Sequence, residues 1–259
     1  MPALALGLAL LNGPILDIKA VSGIIVDADS GDVLWEREPH RRMFPASTTK
    51  IMTALLVVEG MTPEERIAAP SDVRKVKESS LNLYPGEVLT ADGLLKGILL
   101  RSGNDAAYTA AVHLAGNKKD FAQIMNDRAV ELGCEDTHFT NANGLHDANH
   151  YTSAWDLAVM ARVAMQYEWF SEVVGLRSCT IQRSKNTKDV SLNNHNRWLD
   201  VDGRALGVKT GWTTPAGHCF VGCASLNGRT IITVQLKSDR SWVEDQVRMV
   251  DWAFAYGYK

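Results

Sequence analysis

H-C-F-V-G-C-A-S-L-N-G-R-T-I-I-T-V-Q-L-K, residues 218–237, is two apolar runs joined by Asn227-Gly228. Asn-Gly between such runs is the strongest short-range hairpin signal, because both central positions of the tight turn need a positive φ. The stretch therefore predicts two long antiparallel strands, 218–226 and 229–237. Just upstream, G-V-K-T-G-W (207–212) has the same strand character. At the other end of the chain, S-G-I-I-V-D-A-D-S-G-D-V-L-W-E-R (22–37) alternates apolar and polar residues around the turn Asp29-Ser30-Gly31-Asp32, a second hairpin signature. Helical patterns fill the interval, at 48–59, 91–100, 105–115, 119–132, 153–166 and 168–174. A mixed, turn-rich stretch covers 62–90, strand-like character returns near 178–183 and 189–193, and a helix over 242–256 closes the chain. Strands and helices segregated in this way predict an α+β fold rather than alternating βαβ units. The expected assembly is an antiparallel five-stranded sheet, flanked by helices, with a helical cluster beside it. A cleft where that cluster meets the sheet is the expected place for a site.

The 259 residues are 46% hydrophobic and 22% charged, ordinary for a globular protein and too apolar for disorder. A net charge of −3 leaves no electrostatic footprint for nucleic acid. No run of about 20 apolar residues offers a membrane-spanning helix. The apolar run 3–11 has roughly the length of an export-signal core, but no Lys or Arg precedes it. Residues 1–19 thus read either as a signal remnant or as an N-terminal segment with a short core helix. Cys134, Cys179, Cys219 and Cys223 lack C-x-x-C spacing, so zinc is not expected. Cys219 and Cys223 share a strand face about 13 Å apart, too far for a disulfide. Buried free thiols are expected, with a Cys134–Cys179 bridge left open. The histidines are scattered and read as ordinary core or surface residues, and no metal or cofactor site is expected.

Three short motifs carry chemistry only in combination. Ser47-Thr48-Thr49-Lys50 opens a predicted helix, and positions three apart share a helix face, so the Lys50 amine can reach the Ser47 hydroxyl. Serine is a weak nucleophile until a base takes its proton. A lysine serves as that base when burial or a neighbouring cation lowers its pKa. Alone, the motif reads equally as a capping serine and a surface lysine. Lys209-Thr210-Gly211 offers a cation, a hydroxyl and a position without a side chain along one strand, where a substrate backbone can pair. The third element, S-x-N, has candidates at Ser80, Ser102, Ser191 and Ser225, and spacing does not choose among them.

PASTTKIMTALLVVE (45–59), LLKGILLRSGNDAA (94–107) and GVKTGWTTPAGHC (207–219) together resemble the signature motifs of the serine-type D-alanyl-D-alanine carboxypeptidases, the low-molecular-mass penicillin-binding proteins. Residues 121–158 and 250–258 follow the same family pattern, so the resemblance covers about 20–258. It implies a penicilloyl-serine transferase fold and selects Ser102-Gly103-Asn104 as the S-x-N element. By position it implies Ser47 as acylated nucleophile and Lys50 as proton acceptor. Ser102 would relay a proton to the leaving group, and Asn104 would orient the peptide. Lys209 would keep Lys50 neutral, Thr210 would bind the terminal carboxylate, and Gly211 would let the substrate come close. The oxyanion would sit on the backbone N–H groups of Ser47 and Trp212, and Arg240 would also meet the carboxylate.

The implied substrate is a peptidoglycan stem peptide ending in D-Ala-D-Ala, with β-lactams as covalent inhibitors and an exported, extracytoplasmic location. Residues 20–259 would form the catalytic domain, with no C-terminal β-domain and no membrane attachment encoded in this chain. Two rivals share the fold. A β-lactamase would carry an E-x-x-L-N element for its deacylating water, and none lies between Asn104 and Lys209. A non-catalytic β-lactam sensor would need acylation without turnover.

Overall fold

The computed structural model describes residues 13–188 and 190–258. Its centre is a five-stranded antiparallel sheet in the order β2-β1-β9-β8-β7. β7 (Ala205–Thr213), β8 (Gly217–Leu226) and β9 (Arg229–Ser238) form a meander. Asn227 and Gly228 both take positive φ at the tight turn between β8 and β9, which is why Asn-Gly stands there. The N-terminal hairpin, β1 (Ser22–Asp27) and β2 (Val33–Arg37), joins the meander through β1, with Ser22 opposite Leu236 and Asp27 opposite Ile231. The expected sheet is the observed one. The run 3–11 lies outside the described residues.

Alternation along the strands divides the interior in two. Ile24, Val26, Val221, Ile232, Val234 and Leu236 face the helical cluster. That cluster comprises α1 (Lys50–Gly60), α2 (Ala91–Leu99), α3 (Asn104–Ala115), α4 (Lys118–Glu131), α5 (Ala154–Met165) and α6 (Glu168–Gly175). Ile25, Phe220, Ala224 and Ile231 face the other way, onto α7 (Trp242–Tyr256). The caps match the sequence: Thr90, Asn117 and Ser153 accept backbone N–H bonds at the starts of α2, α4 and α5.

Two small hairpins complete the fold. β3 (Arg66–Ala68) pairs with β4 (Val88–Thr90) inside the stretch that reads as mixed and turn-rich. Three-residue strands separated by 19 residues leave too short a period to detect. β5 (Ser178–Thr180) and β6 (Ser191–Asn193) fall within the expected strand regions but are shorter, and they pair with each other apart from the main sheet. All four cysteines are free, so no Cys134–Cys179 bridge exists.

Candidate active site

Ser47 lies on a 3-10 turn, Ala46–Thr49, and Lys50 is the first residue of α1. The sequence pattern puts both on one α-helix; the tighter turn, with three residues per turn, brings i and i+3 more directly into line. Lys50 Nζ sits 3.0 Å from Ser47 Oγ, 2.7 Å from Asn104 Oδ1 and 2.6 Å from the Asn143 carbonyl. Two of these three neighbours are carbonyl oxygens that only accept. A neutral amine has two N–H donors and one lone pair. In that form the two carbonyls take both donors, and the lone pair falls to the Ser47 O–H. The amine is fully buried. That burial, followed by the nearby Lys209, holds its pKa well below the ordinary lysine value, against weaker pulls from Asp105 and Glu78.

The nucleophile turn is fixed from three sides. Ala46 takes φ +48°, a left-handed value uncommon for a residue with a Cβ. Gly144 crosses so close to it that a Cβ there would strike the Ala46 carbonyl. Gly211 of β7 passes equally near, since a Cβ would come 2.9 Å from the Ser47 nitrogen. That contact explains the glycine of Lys-Thr-Gly in this chain: any side chain would push the strand off the turn. Underneath, buried His150 touches Thr49 Oγ1 with Nε2 at 2.8 Å and accepts from the Thr140 N–H with Nδ1 at 3.0 Å. Because Nδ1 accepts, Nε2 carries the proton and donates to Thr49. Burial lowers the ring's pKa to about 4, keeping it in this neutral form.

Ser102 occupies the break between α2 and α3 at φ +57°, and its buried Oγ has no partner in the structure. Asn104 opens α3, and its Nδ2 donates to the Lys77 carbonyl at 3.1 Å. The neighbouring Asp105 accepts from the N–H groups of Leu81 and Leu83 and from Ser80 Oγ, tying the preceding loop to α3. Ser80 therefore has a structural partner, whereas Ser102 lies open toward the cleft. Asn143 and Asp105 carry no motif signal; only their neighbours in the fold reveal them.

Ser47, Ser102, Thr210, Gly211 and Trp212 line one cavity of about 270 Å³ between the helical cluster and the edge strand β7. Trp212 is 59% exposed at its rim. Lys209 is buried beneath, donating to the Thr210 carbonyl at 2.8 Å, and burial brings its pKa down to about 7. Arg197, His195 and His218 also line the cavity. These histidines read in the sequence as ordinary residues, and Arg197, on a short 3-10 turn, belongs to none of the three motifs. Arg240 is exposed just beyond β9, close enough to His218 at the cavity wall for its charge, after burial, to lower that ring's pKa. Among the described residues, no group of three or more His, Cys, Asp and Glu side chains could hold a metal ion.

Residues 11–240 match the profile of the D-alanyl-D-alanine carboxypeptidase family. A D-alanyl-D-alanine carboxypeptidase of Bacillus subtilis is 34% identical over 244 residues, covering 92% of this chain and 62% of that protein. The chain thus spans about three fifths of that relative's length. One from Mycobacterium tuberculosis is 32% identical, with 93% of this chain and 84% of that protein covered. Among solved structures, the Streptomyces K15 DD-transpeptidase superposes with a TM-score of 0.87 at 29% identity, covering 92% of this chain and 98% of that one. A D-alanyl-D-alanine carboxypeptidase from Mycobacterium tuberculosis superposes at 0.86 with 30% identity, covering 93% of each chain.

Proposed function

The chain belongs to the D-alanyl-D-alanine carboxypeptidase family, and from that footing we propose that it removes the terminal D-alanine from peptidoglycan stem peptides through an acyl-enzyme on Ser47. The observation that carries this reading is the fully buried Lys50 amine, 3.0 Å from Ser47 Oγ and held there by the Asn104 and Asn143 oxygens. The amine takes the Ser47 proton as Oγ attacks the penultimate carbonyl. The resulting oxyanion rests on the N–H groups of Ser47 and Trp212. Ser102, whose Oγ is free of other partners, passes a proton to the departing amine, and water then cleaves the ester. On the leaving side, Thr210 and Arg240 hold the substrate's carboxylate, with Arg197 lining the same cavity and Trp212 at its rim. β7 is an edge strand, so the substrate backbone can add to the sheet there. β-Lactams, whose carbonyl and carboxylate offer the same pattern, would acylate the same serine. We also propose an extracytoplasmic location, which action on wall peptides requires.

Mass spectrometry after benzylpenicillin, paired with a D-alanine release assay, tests this reading. The expected result is one adduct on Ser47, release of D-alanine, and loss of both in Ser47→Ala, by about six orders of magnitude in rate. An adduct elsewhere overturns the nucleophile. Stable labelling without D-alanine release favours the sensor reading, and rapid turnover of a cephalosporin favours the β-lactamase.

A further inference from the structure

The chain from 76 to 87 lies in no helix or strand. Two carbonyls of this loop nevertheless hold Asn104. Lys77 accepts from Asn104 Nδ2 at 3.1 Å, and Ser79 accepts from the Asn104 backbone N–H at 2.7 Å. A carbonyl only accepts, so Lys77 keeps Nδ2 turned toward the loop and Oδ1 turned toward the Lys50 amine. With the amide reversed, its N–H would meet the amine and compete with the Ser47 hydroxyl for the lone pair. The shape of the loop therefore decides which end of Asn104 the base meets.

That shape is imposed from outside. Asp105 takes the N–H groups of Leu81 and Leu83. Arg183 takes the carbonyls of the same stretch, from a position 102 residues beyond Leu81 on the loop between β5 and β6. It donates to the Leu81 carbonyl at 2.7 Å and to the Asn82 carbonyl at 3.3 Å. The same guanidinium spans both oxygens of Glu87, at 2.8 and 3.0 Å. Neither side chain of this pair has any exposed surface. Burial raises the Glu87 pKa, but the bonds from Arg183 and from the Tyr84 and Asn186 N–H groups outweigh it and leave the carboxyl below its ordinary value. A planar fork joined at once to a carboxylate and two carbonyls fixes where residues 81, 82 and 87 stand relative to one another.

We propose that Arg183, paired with Glu87, is a positioning residue for acylation: it shapes the loop that carries Lys77 and Ser79, and through Asn104 it keeps the Lys50 amine aligned on Ser47. The β5–β6 hairpin, which adds nothing to the main sheet, thereby acquires a part in the reaction. This inference rests on Ser47 and Lys50 as the reacting pair of the proposed function.

The test is a double-mutant cycle on the rate of Ser47 acylation by benzylpenicillin, followed by mass spectrometry. Arg183→Met is combined with Glu87→Gln, so that no unpaired charge is left in the interior. Circular dichroism and thermal unfolding report the fold. Acylation should slow about tenfold, as for a small misplacement of reacting groups. In an Asn104→Ala background the same two substitutions should cost less than twofold, because the route to Lys50 is already cut. A general loss of structure would slow both backgrounds equally. Should the combined variant fail to fold, Arg183→Lys keeps the ion pair without the fork. It then takes the same place in the cycle, with a loss of about threefold that again disappears in Asn104→Ala. A loss of equal size in both backgrounds, or none in either, overturns the positioning role and leaves the proposed function standing. Failure of wild type to acylate at Ser47 overturns the proposed function, and the positioning role with it.

Discussion

On the side of the sheet toward the helical cluster, two lysines, Lys50 and Lys209, lie in the interior without a carboxylate bonded to either. On the side covered by α7, the buried polar groups are of another kind. Thr233 and Gln235 donate to Gln246 Oε1 at 2.9 and 3.2 Å, and Gln235 also donates to the Trp242 carbonyl. Asp245, an acid buried there, is satisfied by the Lys19 N–H at 2.7 Å and by Arg248 at 3.1 Å. One sheet thus separates a face of neutral amides and hydroxyls, with one buried acid held by Arg248, from a face that withdraws cations from water. Burying an uncompensated cation costs stability, and the usual response is loss of its proton. On the cluster side that response is the useful property, since a neutral amine is the base Ser47 requires.

Lys209→Met tests the contrast most severely. Activity should fall about a hundredfold or more, as for removal of a preorganised electrostatic group. Removing the neighbouring cation also raises the Lys50 pKa, so the rising limb of kcat/KM against pH should move to higher pH. Stability should change in the opposite direction. The Lys209 pKa near 7 lies below the 10.5 of an unfolded lysine. Between those values the unfolded chain binds a proton that the folded chain lacks, so stability rises with pH across that window and the cost is full below it. Methionine removes the cost, and thermal unfolding at pH 6 should show a gain on the order of 1–3 kcal/mol. A lower Tm for Lys209→Met would break the comparison.

His150 gives a smaller effect. His150→Phe leaves Thr49 and the Thr140 N–H without their partner, and kcat and the rate of penicillin acylation should drop about tenfold as Ser47 and Lys50 lose alignment. His150→Gln offers one donor and one acceptor on the same side chain and should recover most of the rate. Equal losses in both variants would mean that the ring's packing, rather than its hydrogen bonds, holds the turn.

The smallest change belongs to the other face. Gln246→Met keeps the volume but strands the Thr233 hydroxyl and leaves Gln235 Nε2 with the Trp242 carbonyl alone. Denaturant unfolding should show a loss of about 1–2 kcal/mol with kcat/KM unchanged within twofold. A change in kcat/KM would show that the two faces are coupled through the strands.

Local pattern was sufficient for the sheet and the main helices. A turn such as Asn227-Gly228 states its own backbone geometry, and alternation along 22–37 states which residues face inward. The same holds for Ser47 and Lys50, because three residues of helical chain fix their separation. The β3–β4 pair was not legible, since strands of three residues carry no period. Nor could spacing choose Ser102 among four S-x-N candidates; that choice came from resemblance, and the fold explains it by tying Ser80 to Asp105 and leaving Ser102 facing the cleft. Arg197, Asn143 and His150 come from loops scattered through the chain, and only packing brings them to Ser47. Local rules act over a few residues, whereas burial and encounter between distant segments depend on the whole chain. The sequence by itself therefore determined the strands, the helices and the spacing of Ser47 and Lys50, while the tertiary structure decided which lysines lose their water, which residues line the pocket and how the turn bearing Ser47 is held.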